Sequence, residues 1–255
     1  MNVFVFDIAT IPDVESGRRL YDLHDLDDAA TGKAMLQLRE QKAGNEFLPL
    51  HLHRICAISV VLRDADKVRV WSLGDPDAGE ADLVQFFFDA VDKFTPTLVS
   101  WNGGGFDLPV LHYRALLHGI QAPRYWDTGT DDRDFKWNNN LSRYQQRHTD
   151  LMDVLSGYQM RATAKLDEIA TMLGFPGKMG MSGASVWDEF QQGNVEGIRN
   201  YCETGVLNTF LVYLRFQLIR GHLNRSAYGR ELDLLRTMLQ QEGQSHFREF
   251  LEHWQ

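Results

Sequence analysis

The first twelve residues constrain the fold of this chain more than any other segment. An apolar run, Val-Phe-Val-Phe at positions 3–6, leads into a single carboxylate at Asp7, and the segment closes on Pro12. Such a run predicts a buried β-strand over residues 3–7. Alternate residues of a strand share a face, so Asp7 and residue 9 point the same way at the strand's end. Two acids there would form half of a divalent-metal site, but residue 9 is Ala9.

Length and composition set the class of protein. The 255 residues, 44% hydrophobic and 24% charged, suffice for one full core and allow a second small domain. A net charge of −9 argues against non-specific coating of nucleic acid, though not against gripping one strand end. Cys56 and Cys202 are too far apart for a zinc motif or a disulfide scaffold. With no signal peptide and no membrane-spanning run, we expect a cytoplasmic protein.

The order of strands and helices predicts an α/β fold with a mixed central sheet flanked by helices. Further strands are predicted at 54–62 and 68–73, which form a hairpin, and at 97–101. A polar insertion at about 15–50 contains one amphipathic helix. The other predicted helices cover residues 80–94, 107–119, 166–173 and 197–221. Residues 1–222 are expected to form one domain, and residues 223–255 a helical tail that packs on the domain or binds a partner.

Two local patterns suggest a functional site. Residues 100–107, Ser-Trp-Asn-Gly-Gly-Gly-Phe-Asp, join a strand to a helix. The glycines suit a phosphate cradle, and Asp107 suits either a site carboxylate or a helix cap. Tyr201 and Gly205 share one face of a predicted helix, where a glycine costs about 0.5–1 kcal/mol relative to alanine. Close helix packing is one explanation for Gly205, and loss of a functional side chain is another.

Together these patterns resemble the motifs of the DEDDy 3′–5′ exonucleases, and most closely the bacterial exonucleases related to the proofreading domain of family B DNA polymerases. The family's first motif reads Asp-Ile-Glu-Thr-Ile-Pro and its third reads Tyr-x-x-x-Asp. The resemblance covers most of residues 1–220. The matching segments are residues 7–12, 102–107, 148–153, 185–187 and 201–205.

The resemblance implies an RNase H-like fold and a two-metal mechanism. Four carboxylates would hold two Mg²⁺ or Mn²⁺ ions around the terminal phosphodiester. Asp7 would bridge both ions, Asp107 would support the second ion, and Tyr201 would orient the attacking water. The products would be nucleoside 5′-monophosphates, released from the 3′ ends of single-stranded DNA.

The same resemblance implies where the substrate lies. Asn102 and Phe106 would shape the nucleotide pocket, and the backbone around Thr10 and Ile11 would receive the 3′-terminal sugar. The segment at 124–149 interleaves basic and aromatic residues. It is either a solvated loop or a path along which single-stranded nucleic acid stacks.

Two of the four carboxylates of the family pattern are missing. Ala9 stands where the family has Glu, and Gly205 stands where it has Asp. Glu203 and Asp13 are the nearest acids, but neither is placed to substitute. Because loss of even an outer-shell group typically costs about 10–100-fold in metal affinity or activity, we expect this chain to be impaired or inactive. Engineered substitution and natural loss of catalysis both remain open explanations.

Two other functions remain open from the sequence. One is a non-catalytic nucleic-acid-binding protein on the same fold, which would bind strand ends without divalent cations. The other is an exoribonuclease, since only the 2′-OH distinguishes RNA from DNA in such a pocket and no motif reads it clearly. His51 and His53 also suggest either a metal site or simply the polar beginning of a strand.

Overall fold

The N-terminal strand lies at the centre of a five-stranded mixed sheet in the computed structural model of the 255-residue chain. The strands are β1 Val3–Pro12, β2 His53–Asp64, β3 Lys67–Ser72, β4 Thr97–Ser100 and β5 His148–Asp150. Their order is β3-β2-β1-β4-β5. The pairs β1–β2 and β2–β3 are antiparallel, whereas β1–β4 and β4–β5 are parallel. This is the α/β arrangement with a mixed sheet that the sequence predicts, and it is consistent with the RNase H-like fold that the resemblance implies.

Strand β1 is longer than predicted, which changes the position of Asp7. Antiparallel pairing with β2 continues to the Pro12–His53 pair, so β1 has ten residues rather than five. Asp7 therefore lies in the middle of the strand and not at its end. A register shift between Ala9 and Thr10 marks a bulge just beyond Asp7. The predicted hairpin of β2 and β3 is confirmed, with Asp64 paired to Lys67 across the turn.

Eleven α-helices surround the sheet. They are α1 Val14–Tyr21, α2 Asp28–Ala43, α3 Glu80–Phe94, α4 Asp107–His118, α5 Pro123–Trp126, α6 Leu151–Leu155, α7 Leu166–Met172, α8 Val186–Gln191, α9 Val195–Ile219, α10 Arg225–Glu242 and α11 Ser245–His253. The predicted helix at 80–94 is confirmed at both ends, and Gly119 ends α4 in the left-handed conformation. None of the helices has the length and apolar composition needed to cross a membrane.

The insertion after β1 contains two helices, so the prediction of a single amphipathic helix was wrong. Asp13 caps α1 by accepting the Ser16 N–H at 3.1 Å, and Asp22 ends that helix in the left-handed conformation. Asp27 then caps α2 by accepting the Ala30 N–H at 2.8 Å. These caps satisfy amides that the first turn of a helix leaves free.

The two faces of β1 contribute to different hydrophobic clusters, as the two-residue period of a strand requires. Phe4, Phe6 and Ile8 pack with residues of α3 and α4 on one face. Val3 and Val5 belong to a second cluster on the other face, which α9, α10 and α11 cover. Asp7 continues this second face, and its side chain is therefore directed towards α9.

The C-terminal helices are integrated into this second cluster. The buried side chains that they contribute are Leu235, Leu239, Phe247 and Phe250. Glu231 of α10 also forms an ion pair with Arg63 of β2, with 2.7 Å between Oε2 and Nε. The division of the chain at residue 222 stays a prediction.

Substitution of Phe250 by alanine tests how firmly α11 belongs to the core. Because Phe250 is fully buried, we expect Phe250→Ala to lower the free energy of unfolding by about 3–5 kcal/mol in urea denaturation. Ile219→Ala, at a position 68% exposed, is the control and should change it by less than about 0.5 kcal/mol. Equal stabilities of the two variants would show that the tail does not pack on the domain in solution.

Candidate active site

Asp7 is held where β1 and α9 cross. The thiol of Cys202 lies 3.3 Å from the Asp7 carbonyl oxygen and 3.8 Å from its Oδ2 atom. No Lys, Arg or His forms an ion pair with this carboxylate. Burial therefore dominates and raises the pKa of Asp7 to about 7, against the smaller opposing effects of the Ile8 N–H and the Cys202 thiol.

Gly205 lies directly opposite Asp7, one turn of α9 beyond Tyr201. A Cβ atom on residue 205 would lie 2.7 Å from Asp7 Oδ2. This is shorter than a van der Waals contact, so the tip of the Asp7 carboxylate would have to move. The glycine thus allows α9 to approach β1 closely. Of the two explanations weighed for Gly205, close packing has a direct basis, and position 205 also faces the carboxylate that the family motif would place beside it.

Asp107 approaches Asp7 from the other neighbouring element. Its Oδ1 atom accepts the backbone N–H of Ile8 at 3.1 Å, a contact that links the first turn of α4 to β1. Burial, and then the charge of Asp7, raise the pKa of Asp107 well above its usual value. The helix-cap explanation for Asp107 is wrong, because Phe106 occupies the N-cap position and no side chain caps this helix.

The glycine loop between β4 and α4 is organised by Asp150. The carboxylate of Asp150 accepts the N–H groups of Asn102 at 2.9 Å and of Gly104 at 2.8 Å. These two amides are therefore not available to a phosphate, and the phosphate-cradle interpretation is wrong for them. Asn102 has φ +63°, a left-handed conformation that asparagine tolerates better than most residues. A Cβ atom on Gly103 would lie 2.2 Å from Ser100 Oγ, so glycine is required there.

A pocket of about 670 Å³ opens beside Asp7. It brings together seven of the nine positions singled out in the sequence, namely Asp7, Ala9, Thr10, Ile11, Asn102, Phe106 and Tyr201. Asp107 and Gly205 do not line it and instead contact β1 beside it. Burial raises the pKa of Tyr201 to about 12, so its phenol stays protonated at neutral pH.

An aromatic wall of the pocket was not predicted. Phe106 packs edge-on against His53 at 5.2 Å between ring centroids, and Phe47 lies 5.8 Å from Phe106. His53 Nε2–H donates a hydrogen bond to the Leu48 carbonyl at 3.1 Å, and His53 Nδ1 shares a second hydrogen bond with Thr10 Oγ1 at 2.9 Å. Of its members, only Phe106 was expected at the pocket, and the apolar pair Phe47-Leu48 in the insertion is the sequence signal for the remainder.

The histidine pair near β2 is not a metal site. His51 packs against Tyr113, with 5.9 Å between ring centroids, whereas His53 faces Thr10. No group of three or more His, Cys, Asp or Glu side chains in the chain is placed to hold a metal ion. His53 is simply the first residue of β2, which was the second interpretation of this pair.

The residues present do not match a two-metal site built from four carboxylates. Asp7 and Asp107 supply two carboxylates, while Ala9 and Gly205 have no oxygen in their side chains. Ala9 is instead buried in a small apolar cluster. A divalent cation would therefore find about half of the protein oxygens that the family pattern provides.

The nearby acids do not make up the deficit, as the sequence predicts. Glu203 is turned away from the pocket, since it accepts hydrogen bonds from Ser72 Oγ at 2.7 Å and from His246 Nε2 at 2.8 Å. Asp13 is committed to a buried ion pair with Arg114. Neither carboxylate is free to coordinate a cation beside Asp7.

A comparison with known protein families also points to a nuclease site. Residues 45–254 match the model of a family described as a predicted 3′–5′ exonuclease related to the exonuclease domain of PolB. The chain belongs to this family. The matched region includes Asn102–Asp107 and the segment around Tyr201, and it begins after β1 and Asp7. No curated protein matches the chain. Exonucleases of this kind generally use divalent metals, and membership implies a nucleic-acid substrate.

The buried charge of Asp7 generates a prediction about stability and pH. A carboxyl group with a pKa of about 7 when folded and 3.8 when unfolded stabilises the fold fully only below pH 3.8, and this contribution is lost as the pH rises through 7. Asp7→Asn removes that loss. In EDTA, we expect the stability gain of Asp7→Asn over the unsubstituted chain to grow by about 2–3 kcal/mol between pH 5 and pH 8.

Urea denaturation at the two pH values measures this difference. Asp77→Asn, in an exposed loop, is the matched control and should leave stability unchanged within about 0.5 kcal/mol. A constant or shrinking advantage of Asp7→Asn with rising pH would mean that the Asp7 carboxylate is well solvated or paired in solution.

Proposed function

We propose that this chain binds the 3′-terminal nucleotide of a single nucleic-acid strand, with DNA preferred over RNA, and hydrolyses the terminal phosphodiester slowly or not at all. The observation that carries this proposal is the composition of the pocket. Asp7 and Tyr201 line it and Asp107 lies beside it, whereas Ala9 and Gly205 offer no metal ligands. The family supplies the reaction class, a 3′–5′ exonuclease.

The pocket has features that suit a terminal nucleotide. Its volume of about 670 Å³ lies within the usual range of small-ligand sites. Phe47 is 56% exposed beside Phe106, so a base can stack on this aromatic wall. Asn102 and the backbone at Thr10 also line the pocket and provide polar groups, and His53 holds the Thr10 hydroxyl by a hydrogen bond.

The two remaining acids define what catalysis the chain retains. Asp7 and Asp107 would be the residues left to hold Mg²⁺ or Mn²⁺, and with two ligands missing this binding is weakened. Tyr201 keeps its proton at neutral pH and therefore acts as a hydrogen-bond donor rather than a base. Glu46, the other acid that lines the pocket, belongs to no group of three or more side chains placed to hold a metal ion. We therefore expect binding to be retained and cleavage to be slow or absent.

Restoration of both acids tests the proposal. We expect Ala9→Glu/Gly205→Asp to shorten 5′-labelled single-stranded DNA from its 3′ end in Mg²⁺ or Mn²⁺. The unsubstituted chain should be at least about 100-fold slower, because two direct metal ligands are missing. The isosteric but uncharged double variant Ala9→Gln/Gly205→Asn is the matched control and should stay inactive.

Each other outcome has a distinct meaning. Cleavage by the unsubstituted chain at the restored rate would show that its catalysis is not impaired. Binding by all three proteins with cleavage by none would leave the non-catalytic binding protein as the function, and cleavage of labelled RNA alone would indicate an exoribonuclease. Because residue 9 is buried, circular dichroism and thermal melting must first show that each variant is folded.

A further inference from the structure

Outside the pocket, the segment between β4 and α7 carries large aromatic side chains that the core does not use. We call Tyr144 and Tyr158 the aromatic patch. Their exposed fractions are 72% and 36%, and Trp137 of the same segment is 78% exposed. The Tyr144 and Tyr158 rings lie 4.9 Å apart at 63°, so residues fourteen positions apart in sequence form one surface feature. Exposed aromatic surface of this kind marks an interaction site more often than a structural one.

Cations accompany each of these rings. The Arg143 guanidinium lies 5.8 Å from the Tyr144 ring and 5.4 Å from the Tyr158 ring, and an ion pair with Asp153 at 2.7 Å holds it there. Lys136 Nζ lies 5.3 Å from the Trp137 ring. Rings next to cations suit a ligand that combines flat aromatic groups with negative charge.

The backbone at Tyr158 is strained. Gly157 and Tyr158 both have φ +61°, a left-handed conformation that is unfavourable for a residue with a side chain. The Tyr158 N–H donates to the Asp153 carbonyl at 2.7 Å, which fixes this turn. The strain places a tyrosine ring at the surface, where it gains little from burial, and such strain is typical of functional positions.

The aromatic patch is connected to the pocket through Asp150. This residue ends β5 and accepts the amides of the pocket loop at Asn102 and Gly104. Helix α6 follows Asp150 directly and has five residues, about 7.5 Å in length, so Tyr158 lies a short distance beyond. Because Asp150 joins the pocket loop to the segment that carries Tyr158, a single strand that leaves the pocket can extend towards this ring.

The local charge also favours a polyanion. Residues 136–165 contain five Lys or Arg and two Asp, although the whole chain has a net charge of −9. This segment is therefore locally basic on an acidic protein, and it would attract phosphates.

We propose that Tyr144, Tyr158 and Arg143 form a second subsite that stacks a base of the single strand upstream of the 3′ end bound in the pocket. The inference rests on the proposed function and extends it, because it assigns the protein a footprint of several nucleotides. Stacking on tyrosine does not depend on base identity, so the subsite serves both DNA and RNA and provides grip rather than sequence specificity.

Affinity as a function of strand length tests this subsite. Binding of thymidine 5′-monophosphate, deca-thymidylate and deca-uridylate would be measured in EDTA by calorimetry, for the unsubstituted chain and for Tyr144→Ala/Tyr158→Ala. We expect the double variant to bind both decamers about 10–100-fold more weakly, with unchanged affinity for the monophosphate. Tyr144→Phe/Tyr158→Phe should retain the affinity for the decamers, because stacking needs the ring and not the hydroxyl.

Phe86→Ala is the matched control. Phe86 is 43% exposed beside Trp71 of β3, at the opposite edge of the sheet from β5, and its removal should change no affinity. Unchanged decamer affinity in the double alanine variant overturns the subsite and leaves the proposed function intact. An equal loss for monophosphate and decamers also overturns it, since the tyrosines would then support the pocket. Failure of the unsubstituted chain to bind any of the three ligands overturns the proposed function itself.

Discussion

The close approach of α9 to β1 at Asp7 is the contact around which the site is organised. Gly205 permits that approach, since a Cβ there would lie 2.7 Å from Asp7 Oδ2, and Cys202 fills the space one turn earlier. Asp107 bonds to the neighbouring Ile8 N–H and completes a junction of one strand and two helices. The pocket, with Tyr201 on its wall, opens beside this junction.

Several other buried acids have a basic partner, which Asp7 and Asp107 lack. Glu80 and Asp13 share Arg114, and Glu203 is held by His246. Asp7 and Asp107 have no such partner, and burial raises the pKa of both. Two buried acids without a basic partner lower the stability of the fold. Such acids are typical of functional sites, where a cation or a proton neutralises them. Such a pair of acids is in keeping with the exonuclease family whose model residues 45–254 match.

The fold was more predictable than the site because hydrophobic periodicity reports local geometry. Strand β1 and the helix Glu80–Phe94 each follow from a pattern of apolar residues that are near one another in sequence. Both elements could therefore be predicted. Phe47 reaches Phe106 across 59 positions, and no local pattern signals such a contact. Likewise, the role of Gly205 depends on Asp7, nearly two hundred residues away, and the bonds from Asp150 to the glycine loop span about 46 positions.

The two missing acids are not equivalent in physical terms. Ala9 is buried with Ile11, Ala57 and other apolar residues, so a glutamate there would have to turn towards the pocket and remain hydrated or coordinated. An aspartate at position 205 would bring a second carboxylate against Asp7, whose pKa burial has already raised. Two such carboxylates can both ionise only if a cation lies between them. Introducing both acids would therefore make stability depend on a bound metal, whereas the present residues let the junction pack around Asp7 and Asp107 alone.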